Sequence, residues 1–186
     1  MTDKQILSEI EIVHQGGVIA YPTESCFGLG CDPNNEQAVL KILELKQRDI
    51  NKGLILIASD YSQLLPFVDD AKIPQDKRYS AFSHWPGPFT LLLPAKSATP
   101  KCLTGKFDTI AVRVTAHEGA RDLCRRLGHA LVSTSANLAG EESLKSAAEV
   151  AQVFADKVDF IVQGEIGGAT NPSTIINPIT GKVFRG

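Results

Sequence analysis

Leu54-Ile55-Leu56-Ile57 is the segment that most restricts the fold. Consecutive apolar side chains in a strand point alternately to opposite faces, so both faces need cover. A sheet with one wet face is thereby disfavoured, and helices are wanted on both sides. The flanking chain supplies them. Residues 3–15 carry Ile6, Ile10 and Val13 at helical spacing, with Thr2 or Asp3 placed to cap. Gly16-Gly17 ends that helix, and Val18-Ile19-Ala20-Tyr21 forms a short strand stopped by Pro22. Asn34 and Gln37 have the spacing of a capping box. They open a helix that turns Val39, Ile42 and Leu43 inward and fades into Lys46-Gln47-Arg48.

Further strands are expected at Phe89 to Leu93, Thr109 to Val114 and Ala130 to Val132, with short ones at 158–162, 174–176 and 182–184. A helix over Arg121 to Leu127 closes on Gly128, and Ser146 with Glu149 opens another through Phe154. This alternation predicts an α/β fold with one twisted, mixed sheet. No repeat or linker divides the 186 residues, and the corner Trp85-Pro86-Gly87-Pro88 is too short to part domains. One domain over 1–186 is expected.

The net charge of −2 gives no overall attraction to nucleic acid or membrane. Any polyanion must therefore be held by a local group of cations. No run approaches the roughly 20 apolar residues of a membrane span, and the charged N-terminus lacks the apolar stretch of a signal peptide. Cys26, Cys31, Cys102 and Cys124 show neither a CxxC pair nor zinc-ligand spacing. Free thiols, a cytoplasmic location and no zinc are expected.

Three polar segments stand out, two directly after expected strands, where open α/β sheets bind ligands, and one between a helix and the next strand. In Tyr21-Pro22-Thr23-Glu24-Ser25 the hydroxyls can face a small ligand or cap their own backbone. Lys46-Gln47-Arg48 with Lys52 can grip a triphosphate, or the cations can complement a helix C-terminus. Ser133-Thr134-Ser135-Ala136-Asn137 offers hydroxyl and amide groups without bulk, or serves as a turn or cap. Arg113 lies inside the apolar strand Ile110 to Val114, where a charge needs a partner: a ligand carboxylate or an internal Asp or Glu. No Walker A pattern is present.

Together the stretches YPTESCFGLGCDP, LKQRDINKGLILIA, WPGPFTLLLPA, LTGKFDTIAVRV, LVSTSANLAG and NPSTI…FRG resemble the YrdC/TsaC family of threonylcarbamoyl-AMP synthases. They run in family order from residue 21 to the end, in the short form without a C-terminal extension domain. The resemblance implies a twisted open sheet with helices packed on it around a large basic concave cavity. It implies the reaction of L-threonine, bicarbonate and ATP, with Mg²⁺, to L-threonylcarbamoyladenylate and diphosphate. The product would supply N6-threonylcarbamoyladenosine at position 37 of tRNAs reading ANN codons, through hand-off to TsaD, TsaB and TsaE. By matching positions, Lys46 and Arg48 would hold ATP phosphates and carry the catalysis. Ser133, Ser135, Asn137 and Arg185 would complete the ATP site. Thr23, Arg113 and Ser173 would bind threonine, with Lys52 standing where relatives carry histidine. Asp49 replaces a common proline and adds a negative charge beside the phosphates. A mobile loop over the cavity is also expected, with Lys46 to Gly53 as a candidate. The competing reading is a non-catalytic module binding double-stranded RNA or tRNA in the same cavity. Weak tRNA binding is compatible with either.

Overall fold

The computed structural model describes residues 8–186. In chain order the elements are α1 (Glu9–His14), β1 (Ile19–Pro22), β2 (Phe27–Gly30), α2 (Glu36–Leu45), β3 (Ile55–Ala58), α3 (Gln75–Phe82) and β4 (Phe89–Pro94). There follow α4 (Lys101–Thr104), β5 (Thr109–Val114), α5 (Glu118–Leu127), β6 (Leu131–Ser135), α6 (Ala147–Phe154), β7 (Phe160–Ile161), β8 (Thr174–Ile176) and β9 (Val183–Arg185).

The strands form one mixed sheet in the order β7-β1-β2-β6-β3-β5-β4-β8-β9. The apolar strand β3 sits at its middle, parallel to β5 and antiparallel to β6. Its side chains divide as the alternation requires. Leu56 and Ala58 enter the larger core with Leu29, Val112 and Val132, beneath Val39 and Ile42 of α2 and Val150 and Phe154 of α6. Ile57 enters a smaller core with Tyr21, Leu131 and Val13 of α1, closed by Leu123, Cys124 and Leu127 of α5.

This second face is covered only in part. One pleat along, Ser133, Ile55, Ala111 and Leu92 are register partners across β6, β3, β5 and β4. Residues two apart share a face, so this row lies on the same side as Ile57. Here Ile55, Ala111 and Leu92 remain only half-buried. A cavity opens over that row.

Several boundaries differ from expectation. The cap at Thr2 or Asp3 lies outside the described residues; within them Ser8 and Glu11 form the capping box of α1. The second helix is capped by Asn35, whose side chain accepts from Ala38 N at 3.1 Å. Asn34 instead turns back, its N–H donating to Asp32 Oδ1 at 2.8 Å. The α5 helix starts earlier than Arg121 because the His117 ring accepts from Ala120 N. The strand Ala130 to Val132 shifts and lengthens: Thr134 and Ser135 pair with Leu29 and Gly28, so the serines end β6 instead of forming a loop. The strand placed at 158–162 is reduced to Phe160–Ile161, and β2, α3 and α4 were not anticipated.

Candidate functional site

The cavity over the exposed row has a volume of about 520 Å³, within the range of small-ligand sites. Thr23, Arg48, Lys52, Arg113, Ser133, Ser135, Ser173 and Arg185 all line it. Its charged lining consists of four cations, Arg48, Lys52, Arg113 and Arg185, and one acid, Asp108. A neighbouring hollow of about 640 Å³ is larger but contains none of the expected site residues.

Register explains why these distant residues meet. Arg113 is one pleat from Ala111 on the same face of β5, opposite Ile57 of β3. Ser133 and Ser135 project from β6 one and two pleats beyond Leu131. Thr23 follows β1, and Ser173 precedes β8 at the other edge of the sheet. Ser173 and Thr90 share a hydrogen bond of 2.8 Å between hydroxyls. From β9, Arg185 donates through Nε to Ser173 O at 3.0 Å and through Nη2 to Ser173 Oγ at 3.2 Å.

Arg185 feels the other two guanidiniums. Partial burial and then the Arg113 and Arg48 charges lower the pKa of Arg185, and burial lowers that of Arg48. Converging cations of this kind are relieved by an anion. Arg113 is nine-tenths buried, and its Nε has no hydrogen-bond partner. Its Nη2 lies 3.4 Å from Glu24 Oε2. The sequence left open whether a ligand or an internal acid pairs this arginine; Glu24 is that internal acid. Burial pushes the Glu24 carboxyl up, but the Arg113 charge and hydrogen bonds from Thr115 and Ala116 outweigh it and hold it low.

Lys46 and Asn137 do not line the cavity. They stand behind Ser135, joined to each other. Lys46 Nζ donates to Ser135 O, to Asn137 O at 3.0 Å and to Asn137 Oδ1 at 2.8 Å. Ser135 Oγ donates to the same Asn137 Oδ1 at 2.7 Å. All three ammonium hydrogens are thus spent on the end of β6 and the turn after it. In this conformation Lys46 tethers that segment and contributes its charge at a distance. Thr23 is also engaged locally, donating to Cys26 O at 2.7 Å.

Burial and then the Arg48 charge bring the Lys46 pKa down to about 8. The sign follows directly: the ammonium loses its proton as pH rises through about 8, and the tether weakens. Any turnover that relies on this strand end should therefore show an alkaline limb near that pH. Lys46→Arg, which stays protonated far higher, should move the limb upward. Superimposable pH profiles for the two proteins would dismiss Lys46 as its source.

The segment from Lys46 to Gly53, expected to be a mobile lid, is docked at both ends. Arg48 donates through Nε and Nη2 to Gly53 O. Gly53 and Gly105 both adopt positive φ and interlock; a Cβ on Gly105 would fall 2.3 Å from Asn51 O. Asp49 caps the intervening turn, accepting from Asn51 N at 2.9 Å. It is exposed and outside the cavity lining, so its charge does not oppose a bound anion directly. All four cysteines are free, as the spacing implied.

An open mixed sheet with a cation-lined hollow over one of its faces defines an α/β domain with a candidate ligand site. A family model described as "Telomere recombination" (Sua5/YciO/YrdC) matches residues 11–185, and the chain belongs to that family. It is 66% identical over 169 residues, 91% of each chain, to a protein of Idiomarina loihiensis named threonylcarbamoyl-AMP synthase. It is 53% identical over 187 residues, 100% of each chain, to one of the same name from Pseudoalteromonas translucida. Among solved structures, P. abyssi Sua5 complexed with L-threonine superposes with a TM-score of 0.83 at 35% identity. The match covers 90% of this chain and 49% of that one, so this chain spans about half of the P. abyssi protein.

Proposed function

We propose that this chain is a threonylcarbamoyl-AMP synthase. The observation that carries the reading is the convergence, in one cavity, of the buried Arg113 guanidinium with those of Arg185 and Arg48. Three guanidiniums in one hollow suit a small carboxylate and a polyphosphate bound side by side. The names of the two bacterial relatives and the threonine held by P. abyssi Sua5 support the same assignment.

In the reaction, threonine's amine and bicarbonate form a carbamate with loss of water. A carbamate oxygen then attacks the α-phosphorus of ATP, and the bond to the β-phosphate oxygen breaks to release diphosphate. The carbamate is already nucleophilic, so the protein's work is positioning and charge stabilisation. Arg113, Thr23 and Ser173 seat the amino acid. Arg48, Arg185 and the β6 hydroxyls of Ser133 and Ser135 receive the nucleotide, while Lys46 and Asn137 hold that strand end in place. Lys52, exposed and part of the cavity lining, would reach the threonine. Among the described residues no group of three or more His, Cys, Asp or Glu side chains could hold a metal ion. Mg²⁺ would arrive bound to the ATP phosphates, as is usual for nucleotide substrates. The adenylate would pass to the TsaD, TsaB and TsaE machinery that modifies tRNA. Among the described residues no helix is long and apolar enough to cross a membrane.

One incubation with ATP, Mg²⁺, L-threonine and bicarbonate tests this, assayed for diphosphate and, by mass spectrometry, for the adenylate. Both products should require every component. Salt-sensitive RNA binding without diphosphate release would instead support the binding-module reading.

A further inference from the structure

We infer that Glu24 is a positioning residue that aims Arg113 at the amino acid's carboxylate; this rests on the reading of Arg113 proposed above. Glu24 does not line the cavity, is 8% exposed, and stands behind the guanidinium. One of its carboxylate oxygens is fully engaged: Oε1 accepts from Thr115 Oγ1 at 2.7 Å and from Ala116 N at 3.1 Å. Two donors on one oxygen fix the plane of the carboxylate and leave Oε2 facing Arg113 Nη2 at 3.4 Å. Oε2 is buried and has no other partner. The Glu24 backbone is pinned as well, its carbonyl accepting from Ala169 N at 3.1 Å. Immediately before it, Thr23 O accepts from Gly167 N at 2.8 Å.

The charge arithmetic gives this contact its purpose. Arg113, Arg48 and Arg185 share one hollow. Among the described residues Glu24 is the only carboxylate ion-paired with any of the three. Without it, repulsion from the other two would be free to turn the Arg113 side chain, and its buried charge would lack a counter-ion. With it, one edge of the guanidinium is held from behind, and the donors that reach the cavity are left for a ligand. Thr115, itself fully buried, holds Glu24 in turn.

Glu24→Gln tests the idea with little change of shape. The amide keeps an oxygen for Thr115 and Ala116 but presents N–H groups to Arg113. We expect the KM for threonine to rise about tenfold, with the KM for ATP and kcat changing less than about threefold. In an Arg113→Ala background the same substitution should change nothing further, because Glu24 acts through Arg113. Thr115→Val should move the threonine KM in the same direction by a smaller factor, and it carries the test if Glu24→Gln fails to fold. A rise in both KM values together, or an equal effect with and without Arg113, would reduce Glu24 to a structural ion pair and overturn the inference. If Arg113→Ala itself leaves the threonine KM unchanged, the failure lies in the carboxylate assignment instead.

Discussion

Arg113→Ala raises the KM for L-threonine by about a hundredfold or more and leaves the KM for ATP within about threefold. Hydrogen bonds to charged groups contribute about 1.5–3 kcal/mol each. A guanidinium that grips a carboxylate with two of them should therefore be worth at least two decades of affinity, at about 1.4 kcal/mol per decade. The arginine is buried in β5 on the cavity face, and its Nε lacks a partner. Among the described residues its only ion pair is the long contact to Glu24. Competition kinetics with serine and threonine would read the effect directly. Equal increases in both KM values would place Arg113 outside the amino-acid pocket. Removal of the guanidinium also strands the Glu24 carboxylate, so the thermal midpoint must be recorded beside the kinetics.

The second large effect separates Arg48 from Lys46. Arg48→Ala should lower diphosphate release by about 10²–10³-fold, the usual cost of losing one preorganised donor to transition-state charge. Among the described residues its side-chain hydrogen bonds go only to Gly53 O, so stability should change little. Lys46→Ala should be as damaging to turnover but by another route. It leaves Ser135 O, Asn137 O and Asn137 Oδ1 without their donor, and the thermal midpoint should fall too. Wild-type-like turnover in either variant would remove the nucleotide assignment. An unchanged midpoint for Lys46→Ala would show that the tether is weak.

Much of this arrangement was legible in the sequence because local chemistry and tertiary need coincided. The strand Thr109 to Val114 and the αL cap at Gly128 fall where the pattern placed them, as does the Ser146–Glu149 capping box. The misreadings have physical causes. Phe27-Gly28-Leu29-Gly30 contains two glycines, which weaken strand propensity. It is nonetheless a strand, since the Tyr21 ring packs where a Cβ on Gly30 would lie, 2.6 Å from Tyr21 Cε1. Ser133 to Ser135 look like a loop, but pairing with β2 carries the ladder through them. The α3 helix is polar over most of its length and buries only Ala81, so it gave no apolar stripe.

The site was less legible than the fold. That Lys46 faces a strand end and Arg48 the cavity cannot be derived from two cations spaced two apart. It depends on where the chain turns after α2. Glu24 was visible inside its motif and went unassigned. The signal was Arg113 itself, a charge in an apolar strand that required an acid somewhere in the fold.

The β8–β9 edge has one further consequence. It supplies Ser173 and Arg185 to the cavity, yet β9 is wholly exposed and β8 only half-buried. Nicking or peeling away this ribbon would strip a wall from the reaction chamber and take only Ile176 from the packing around the larger core. A preparation damaged in this way would melt normally and turn over nothing, so purity judged by thermal denaturation is no measure of how many molecules are competent.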